Sequence, residues 1–181
     1  ATLPVSLNGF DLSSKRLDLV GSQVTDVDLA HLGSFKNLEE LNLVLTEITD
    51  KGLTHLRTLK GLRELHLDST KITDKGLKSL SGLTGLELLS LGGFDSDISD
   101  QGLSHLVDLK SLKTLSLQMT KVTDAGLLYL RDFEELENLE LGAARVTDGG
   151  VRHLQPLKSL VSLDLSSTRI TDAGLLYLQE W

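Results

Sequence analysis

The 181-residue sequence contains no cysteine and only seven aromatic residues. Without cysteine the chain can form neither a disulfide scaffold nor a zinc finger. It has no uncharged apolar run near the roughly 18 residues of a membrane span, and its N-terminus lacks a charged-then-apolar signal segment. Its 26 acidic residues outnumber 18 basic ones, and binding to nucleic acid needs clustered Lys and Arg. These absences exclude membrane insertion and a nucleic-acid partner. They favour an intracellular or secreted bacterial protein, with the cytoplasm preferred.

Leucine is the residue in excess, at 44 of 181 positions, and it recurs with a period. Copies of one pattern begin at residues 14, 38, 62, 86, 112, 136 and 160, so that every step after the first copy is 24 residues except one of 26. Such periods are typical of repeat proteins, in which one unit cannot bury its apolar face alone. The sequence therefore predicts a repeat domain over residues 14–181, preceded by an N-terminal cap or partial repeat over residues 1–13. Because the chain begins with Ala1 and no cap follows Trp181, we also expect it to be a fragment or a processed form of a longer protein.

Each copy contains two periodicities. Leucines at its positions four and six alternate as in a short strand, for example Leu41 and Leu43. Apolar residues at positions 16, 19 and 22 follow helical spacing, and Thr-Asp or Ser-Asp precedes them as a helix start. The predicted fold class is α/β, a right-handed solenoid of about seven repeats with a curved parallel sheet on its concave face and short helices on its convex face. At position 22 the aromatic residues Phe35, Phe133 and Trp181 are expected to be buried.

The consensus L-x-x-L-x-L-x-x-T-x-I-T-D-x-G-L-x-x-L resembles that of leucine-rich repeat proteins over nearly the whole chain. The segment T-D-x-G-L-x-x-L is similar to the cysteine-containing type of F-box receptors, and the 24-residue length is similar to bacterial repeats. The ninth position, where those families place Asn or Cys, differs here. It holds Thr46, Thr70, Thr120, Thr168 and Ser22, whose hydroxyls can bond the turn backbone, and Ala144, which cannot.

Stacked copies turn each repeat position into a column of side chains. Position 13 is aspartate in all seven copies, and we interpret this column as helix capping rather than calcium binding. Position 15 is glycine in six copies, which indicates close approach of the neighbouring turn. Position 18 holds His31, His55, His105 and His153, and we interpret it as a half-buried flank because neighbouring helices lie too far apart to share an ion. The sequence therefore predicts no metal and no cofactor.

The sheet face and its edge loops are where a solenoid of this kind binds a partner. Positions three, five, seven and eight of each copy vary, and an apolar group stands out among them. The predicted partner-binding residues are Val44, Leu45, His66, Asp68, Leu88, Ser90, Phe94, Gln118 and Met119. Phe94 lies in the two-residue insertion, and two placements remain open. It projects from the Gly92-Gly93 loop, which we favour slightly, or it turns inward in place of the ninth-position threonine.

The predicted function is a non-enzymatic module that binds a protein partner, with the chain a monomer or weak dimer. One alternative is the substrate-recognition or adaptor part of a larger protein, such as a ubiquitin-ligase receptor or a secreted bacterial effector. A second is cation or small-ligand binding at the Asp95 loop. A third is catalysis by His66 and Ser90, which an open sheet without an oxyanion hole disfavours.

Overall fold

A computed structural model describes residues 7–179 of the chain. Over these residues seven three-residue strands form one parallel sheet in chain order. The strands are β1 (Arg16–Asp18), β2 (Glu40–Asn42), β3 (Glu64–His66), β4 (Leu88–Ser90), β5 (Thr114–Ser116), β6 (Asn138–Glu140) and β7 (Ser162–Asp164). Equivalent residues of successive copies pair, as Leu41 does with Leu65 and Leu89 with Leu115. The second of these pairs spans the 26-residue step, so the insertion leaves the register of the sheet unchanged.

Each strand is followed, after a turn, by a short helix. The α-helices are α1 (Asp26–Leu29), α2 (Asp50–Leu56), α3 (Asp74–Leu77), α4 (Asp100–Leu103), α5 (Asp124–Leu127), α6 (Asp148–Val151) and α7 (Asp172–Leu175). Short 3₁₀ segments lie at Leu32–Ser34, Lys78–Leu80, Leu128–Leu130, Arg152–Leu154 and Leu176–Leu178. The apolar residues recur every three positions, which is the repeat of a 3₁₀ turn rather than of an α-helix. The strand–turn–helix unit was predicted, but most α-helices are only one turn long.

The core is a continuous apolar layer between the sheet and the helices. Leu41 and Leu43 of the β2 copy are fully buried, as are Leu53 and Leu56 of α2, and equivalent leucines continue along the chain. Phe35 and Phe133 are buried as predicted, whereas the prediction for Trp181 lies outside the described residues. Leu7, N-terminal to the first strand, is also buried in this layer. Since each copy buries its leucines against its neighbours, stacking supplies the hydrophobic stabilisation.

The aspartate column joins one copy to the next. Asp100 Oδ1 accepts a 2.7 Å hydrogen bond from the Thr123 backbone N–H, and its Oδ2 accepts a 2.6 Å bond from the Thr123 hydroxyl. The same two bonds link Asp26 to Thr49, Asp50 to Thr73, Asp74 to Ser99, Asp124 to Thr147 and Asp148 to Thr171. The interpretation of this column as helix caps was therefore wrong, because its carboxylates bridge neighbouring copies.

The cap itself is the residue before each aspartate. Thr123 Oγ1 accepts a 3.3 Å hydrogen bond from the Ala125 N–H at the start of α5. The bridging bonds also affect titration: the backbone N–H of Thr171, and then its hydroxyl, lower the pKa of Asp148 from its ordinary value. Hydrogen bonds to the ionised form favour that form. Threonine thus donates to one copy's carboxylate and caps its own helix.

The glycine column makes room for these carboxylates, which confirms the predicted close approach. A Cβ on Gly126 would lie 2.3 Å from Asp100 Oδ1 and 3.0 Å from Val122 Cγ1. The equivalent Cβ on Gly76 would lie 2.3 Å from Asp50 Oδ1. The Asp, Thr and Gly positions therefore form one structural unit, repeated between consecutive copies, that we call the inter-repeat bridge.

The ninth-position hydroxyls close the turn that follows each strand. Thr46 Oγ1 donates a 2.7 Å bond to the Leu43 carbonyl, and Thr120 does the same to Leu117. Ser22 departs from the expected pattern, because its buried hydroxyl has no partner among the described residues. Ala144 is buried and offers no hydroxyl at all. The turn thus tolerates copies without this bond.

Candidate interaction surface

Strand alternation divides the sheet into a core side and an outward side, which we call the open face. In β3 the middle residue, Leu65, is buried, while Glu64 and His66 on either side of it are partly exposed. Side chains two residues apart on a strand point to the same side. Positions three, five and seven of each copy therefore line the open face, as the sequence predicted.

The open face is bordered by a row of residues with left-handed backbone, which we call the rim. The non-glycine members are Leu45, Ser69, Asp95, Met119, Ala143 and Ser167, with φ between 53° and 60°. Each copy hydrogen-bonds to the next here: the Leu45 N–H donates to the Asp68 carbonyl at 3.0 Å, and the Met119 N–H to the Gly142 carbonyl at 2.7 Å. The rim is therefore a continuous edge along the solenoid.

The inserted loop projects Phe94 from the rim. Phe94 is 78% exposed, the highest value of the four phenylalanines with Phe35 and Phe133 at 1% or less and Phe10 at 36%. Ser96, not Phe94, takes the ninth position, because it is buried and its hydroxyl donates to the Leu91 carbonyl at 3.3 Å. Of the two placements left open by the sequence, the structure has the outward one.

Two glycines hold this loop in place. Gly93 has φ of +111° and donates its N–H to the Gln118 carbonyl at 3.1 Å. A Cβ on Gly93 would lie 2.6 Å from the Ser69 nitrogen, and one on Gly92 would lie 2.6 Å from the Gln118 carbonyl oxygen. Such contacts between a side chain and backbone atoms cannot be relieved by rotating a side chain. Both glycines are therefore required for the close backbone approach that turns Phe94 outward.

Large apolar side chains occupy two further rim positions. Leu45 is 63% exposed and Met119 is 43% exposed. Val44 beside Leu45 is only half-buried, and Leu88 is half-buried on the open face. Val20 was missed by sequence reasoning although it is 46% exposed and stands at the same repeat position as Val44. Its column was the signal that could have identified it.

A depression of about 410 Å³ lies beside these apolar residues on the open face. Its lining includes His66, Asp68, Leu88, Ser90, Gln118 and Met119, all of them sequence-predicted binding residues, together with Thr114, Ser116 and Glu140. Gln118 Nε2 donates a 2.8 Å hydrogen bond to Glu140 Oε2. The structure thus brings together most of the predicted residues around this depression, with Phe94 and Leu45 on the adjacent rim.

Ser90, one of the predicted partner-binding residues, is almost fully buried on the open face. It is 8% exposed, because its hydroxyl hydrogen-bonds Asp68 Oδ2 and lies 3.4 Å from His66 Nδ1. Asp68 also accepts a 2.9 Å bond from the Gly92 N–H through Oδ1. Ser90 is therefore held between two neighbours and offers little surface of its own.

These three side chains do not have the order of a hydrolytic triad. In a triad the carboxylate holds the histidine, and the histidine accepts the serine proton. Here the carboxylate of Asp68 bonds Ser90 directly, and the described residues include no hydrogen bond between Asp68 and His66. The arrangement leaves the serine proton on the carboxylate side, which disfavours activation of Ser90 as a nucleophile.

The aspartates around the inserted loop have other partners. Asp97 forms an ion pair with Lys121, and Asp100 belongs to the inter-repeat bridge to Thr123. Asp95 lies on the rim with a left-handed backbone. This distribution gives no support to a cation site at the Asp95 loop.

The helix side also carries exposed apolar side chains, at Val27, Leu128, Tyr129, Leu175, Leu176 and Tyr177. The histidines of position 18 are half-buried, as predicted, and among residues 7–179 they contribute to no cluster of three or more ligating side chains. Within that same range no helix is both long enough and apolar enough to cross a bilayer.

Copies of one strand–turn–helix unit, stacked in register under a single parallel sheet, define a solenoid repeat protein. A family model described as leucine-rich repeat matches residues 36–56, 62–81, 108–130 and 157–178. The crystal structure of internalin C2 from Listeria monocytogenes is similar, with a TM-score of 0.65 and 24% identity over 89% of this chain and 75% of that one. Comparison with curated protein sequences gives no match.

The chain has the fold of leucine-rich repeat proteins, and the family model matches four of its copies. This fold suggests a protein–protein interaction module, and proteins built from these repeats are typically non-enzymatic. The likeness to internalin C2 concerns the fold alone.

Proposed function

We propose that this chain binds a protein partner through its open face and rim, with Phe94 as the central anchor. The observation that carries the proposal is the exposure of Phe94, a large aromatic side chain held outward by two sterically required glycines. Aromatic anchors that fill a partner's pocket account for much of the binding free energy at interfaces. The same surface would serve whether the module acts alone or as the recognition part of a larger protein.

The backbone of the rim supports this role. A left-handed conformation is unfavourable for residues other than glycine by about 1–2 kcal/mol, and exposure of a large apolar side chain adds to that disadvantage. The first copy has Gly21 with φ of +61° at the same position, which shows that the turn accepts glycine. Leu45 and Met119 therefore lower the stability of the free protein, and contact with a partner would explain their presence.

The charged side chains on the open face indicate which polar groups of the partner would lie around its apolar contact. Asp68 and Glu140 line the depression beside Met119, and Asp95 lies next to Phe94. We infer a partner surface with an apolar pocket for Phe94 and hydrogen-bond donors or basic groups around it. Such complementarity contributes to specificity and to the association rate more than to affinity.

Replacement of Phe94 by alanine is expected to weaken partner binding by about 1–3 kcal/mol, because the anchor is lost. The partner is first captured with the wild-type chain as bait, and its dissociation constant is then measured by surface plasmon resonance. Far-UV circular dichroism of the variant should match the wild type, since Phe94 is 78% exposed.

Val27→Ala is the matched control for this experiment. Val27 is 74% exposed but lies in α1 on the helix side. The Val27→Ala variant should bind the partner with an unchanged dissociation constant. Equal weakening by both variants, or by neither, would rule out Phe94 as the anchor.

Met119→Gly is expected to change stability and binding in opposite directions. Glycine adopts the left-handed backbone conformation of residue 119 without strain, so the free energy of unfolding should rise by roughly 1 kcal/mol, as measured by urea denaturation. Partner affinity should fall by about tenfold, a difference of roughly 1.4 kcal/mol. Ser69→Gly, at a rim position with a small side chain, should give a similar stabilisation without the loss of affinity. A loss of stability in Met119→Gly would show that its side chain packs in the core instead.

A further inference from the structure

We propose that Glu40, Glu64 and His66 form a binding site on the open face for a divalent transition-metal ion of the zinc class. One ligand atom from each of the three lies within 4.8 Å of the other two. The residues come from neighbouring strands, β2 and β3, and Glu40 and Glu64 are direct partners in the sheet register. This proposal is independent of the partner-binding function.

A bound cation would reduce the repulsion between the carboxylates of Glu40 and Glu64. Like charges directly opposite each other on adjacent strands are destabilising. Arg16 Nε lies 3.1 Å from Glu40 Oε1 and offsets one of the two carboxylates. Glu64 has no ion pair or side-chain hydrogen bond among residues 7–179. The nearby basic residues are engaged elsewhere, since Lys15 pairs with Glu39 at 2.8 Å and Arg63 with Glu87 at 2.9 Å.

The hydrogen bonding of His66 prepares it as a ligand. A carboxylate only accepts hydrogen bonds, so the Ser90 hydroxyl donates its single proton to Asp68. Ser90 Oγ can then only accept from His66 Nδ1, which lies 3.4 Å away. A proton on Nδ1 would satisfy this contact and leave the lone pair of Nε2 free for a metal ion. Metal-binding histidines characteristically donate their other ring N–H to an acceptor in the same way.

The donor set selects the class of ion. Imidazole nitrogen suits zinc and its neighbours in the first transition row, whereas calcium and magnesium prefer oxygen ligands alone. Three protein ligands with further positions open to water resemble the donor count of exposed zinc sites. Ligand atoms in such a site lie about 3.0–3.4 Å apart at bond lengths near 2.1 Å. Separations at the 4.8 Å limit therefore need to close by about 1.4–1.8 Å, through rotation of two partly exposed glutamates.

Isothermal titration of the full 181-residue chain with Zn²⁺ tests the site. We expect one ion per chain with a dissociation constant in the micromolar range, and loss of at least about tenfold in affinity in Glu64→Gln and in His66→Gln. Two matched controls should bind as the wild type does: Glu140→Gln, an open-face carboxylate in the His66 column, and His55→Gln, a half-buried histidine of α2. Unchanged circular dichroism of each variant confirms that it is folded.

The contribution of the contacts that link Asp68, Ser90 and His66 can be tested separately. Ser90→Ala should weaken Zn²⁺ binding by about 10-fold or more because Nδ1 loses its acceptor, whereas Ser116→Ala, an equally buried serine on β5, should not. Co²⁺ absorption provides a second readout, since its visible d–d bands shift and intensify when protein ligands replace water, and this change should be lost in His66→Gln. No Zn²⁺ binding by the wild type, or wild-type affinity in Glu64→Gln and His66→Gln, would overturn the proposal. Failure of the zinc proposal would leave the proposed partner binding, which is measured without metal, untouched.

Discussion

Replacement of Leu115 by alanine is expected to lower the free energy of unfolding by about 3–5 kcal/mol. Leu115 is the middle residue of β5, is fully buried, and has β4 and β6 on its two sides. Truncation removes apolar contacts with both neighbouring copies and leaves a cavity that the stacked turns cannot close. Urea denaturation followed by circular dichroism at 222 nm measures the loss.

Leu163→Ala is the matched comparison, because Leu163 stands at the same repeat position in β7. It is only partly buried, and in the described part of the chain β7 pairs with β6 alone. We expect a loss of about 1–2 kcal/mol, since less apolar surface leaves contact with the core. In a solenoid stability is approximately a sum of terms between neighbours. Equal losses at Leu115 and Leu163 would contradict that picture.

The sequence was sufficient to predict the strands and their pairing. Leu41 and Leu65 hold the same repeat position, and a one-residue shift would turn every inward leucine to the open face. The close approach at Gly126 was also predictable, because glycine in a first helical turn is unfavourable unless a neighbour needs its space. Periodicity therefore fixed what each position faces inside one copy.

Contacts between different columns were harder to predict. The bridge from Asp100 to Thr123 joins position 13 of one copy to position 12 of the next, and a single column shows neither end of that bond. The cluster of Glu40, Glu64 and His66 likewise combines positions three and five of two copies. Comparison down each column separately identified His66 and the aspartate column, but it did not single out Glu40 or Glu64 and it showed no contact between columns.

The inserted loop shows a second limit of the sequence. The two extra residues between Leu91 and Ile98 can lie either before or after the ninth position of the repeat. Composition alone does not decide between these two placements. The Gly93 bond to Gln118 and the Ser96 hydroxyl bond to Leu91 place the two extra residues, Phe94 and Asp95, between Gly93 and Ser96. The exposure of Phe94 thus depends on hydrogen bonds that the repeat pattern does not encode.

Because of the inter-repeat bridge, we expect Gly126→Ala to lower the free energy of unfolding, whereas the same change in an ordinary helix raises it. Asp100→Ala should lower the free energy of unfolding by about 2–4 kcal/mol, because the Thr123 N–H and hydroxyl lose a charged acceptor in a partly buried site. Gly126→Ala alone should cost about 1–3 kcal/mol through the clash of its Cβ with Asp100 Oδ1. In an ordinary helix the same change stabilises by up to about 1 kcal/mol.

A double-mutant cycle separates these effects. Once Asp100 is alanine, the nearest obstacle to a Cβ at residue 126 is gone and only Val122 Cγ1 at 3.0 Å remains, so Gly126→Ala should become close to neutral in that background. The expected coupling of about 1–3 kcal/mol is within the range for residues in contact. Gly33→Ala is the control: it lies in the 3₁₀ segment Leu32–Ser34, and its Cβ would meet only Thr58 Oγ1 at 4.0 Å. Additive losses for Asp100→Ala and Gly126→Ala would mean that the glycine column serves backbone packing rather than the carboxylates.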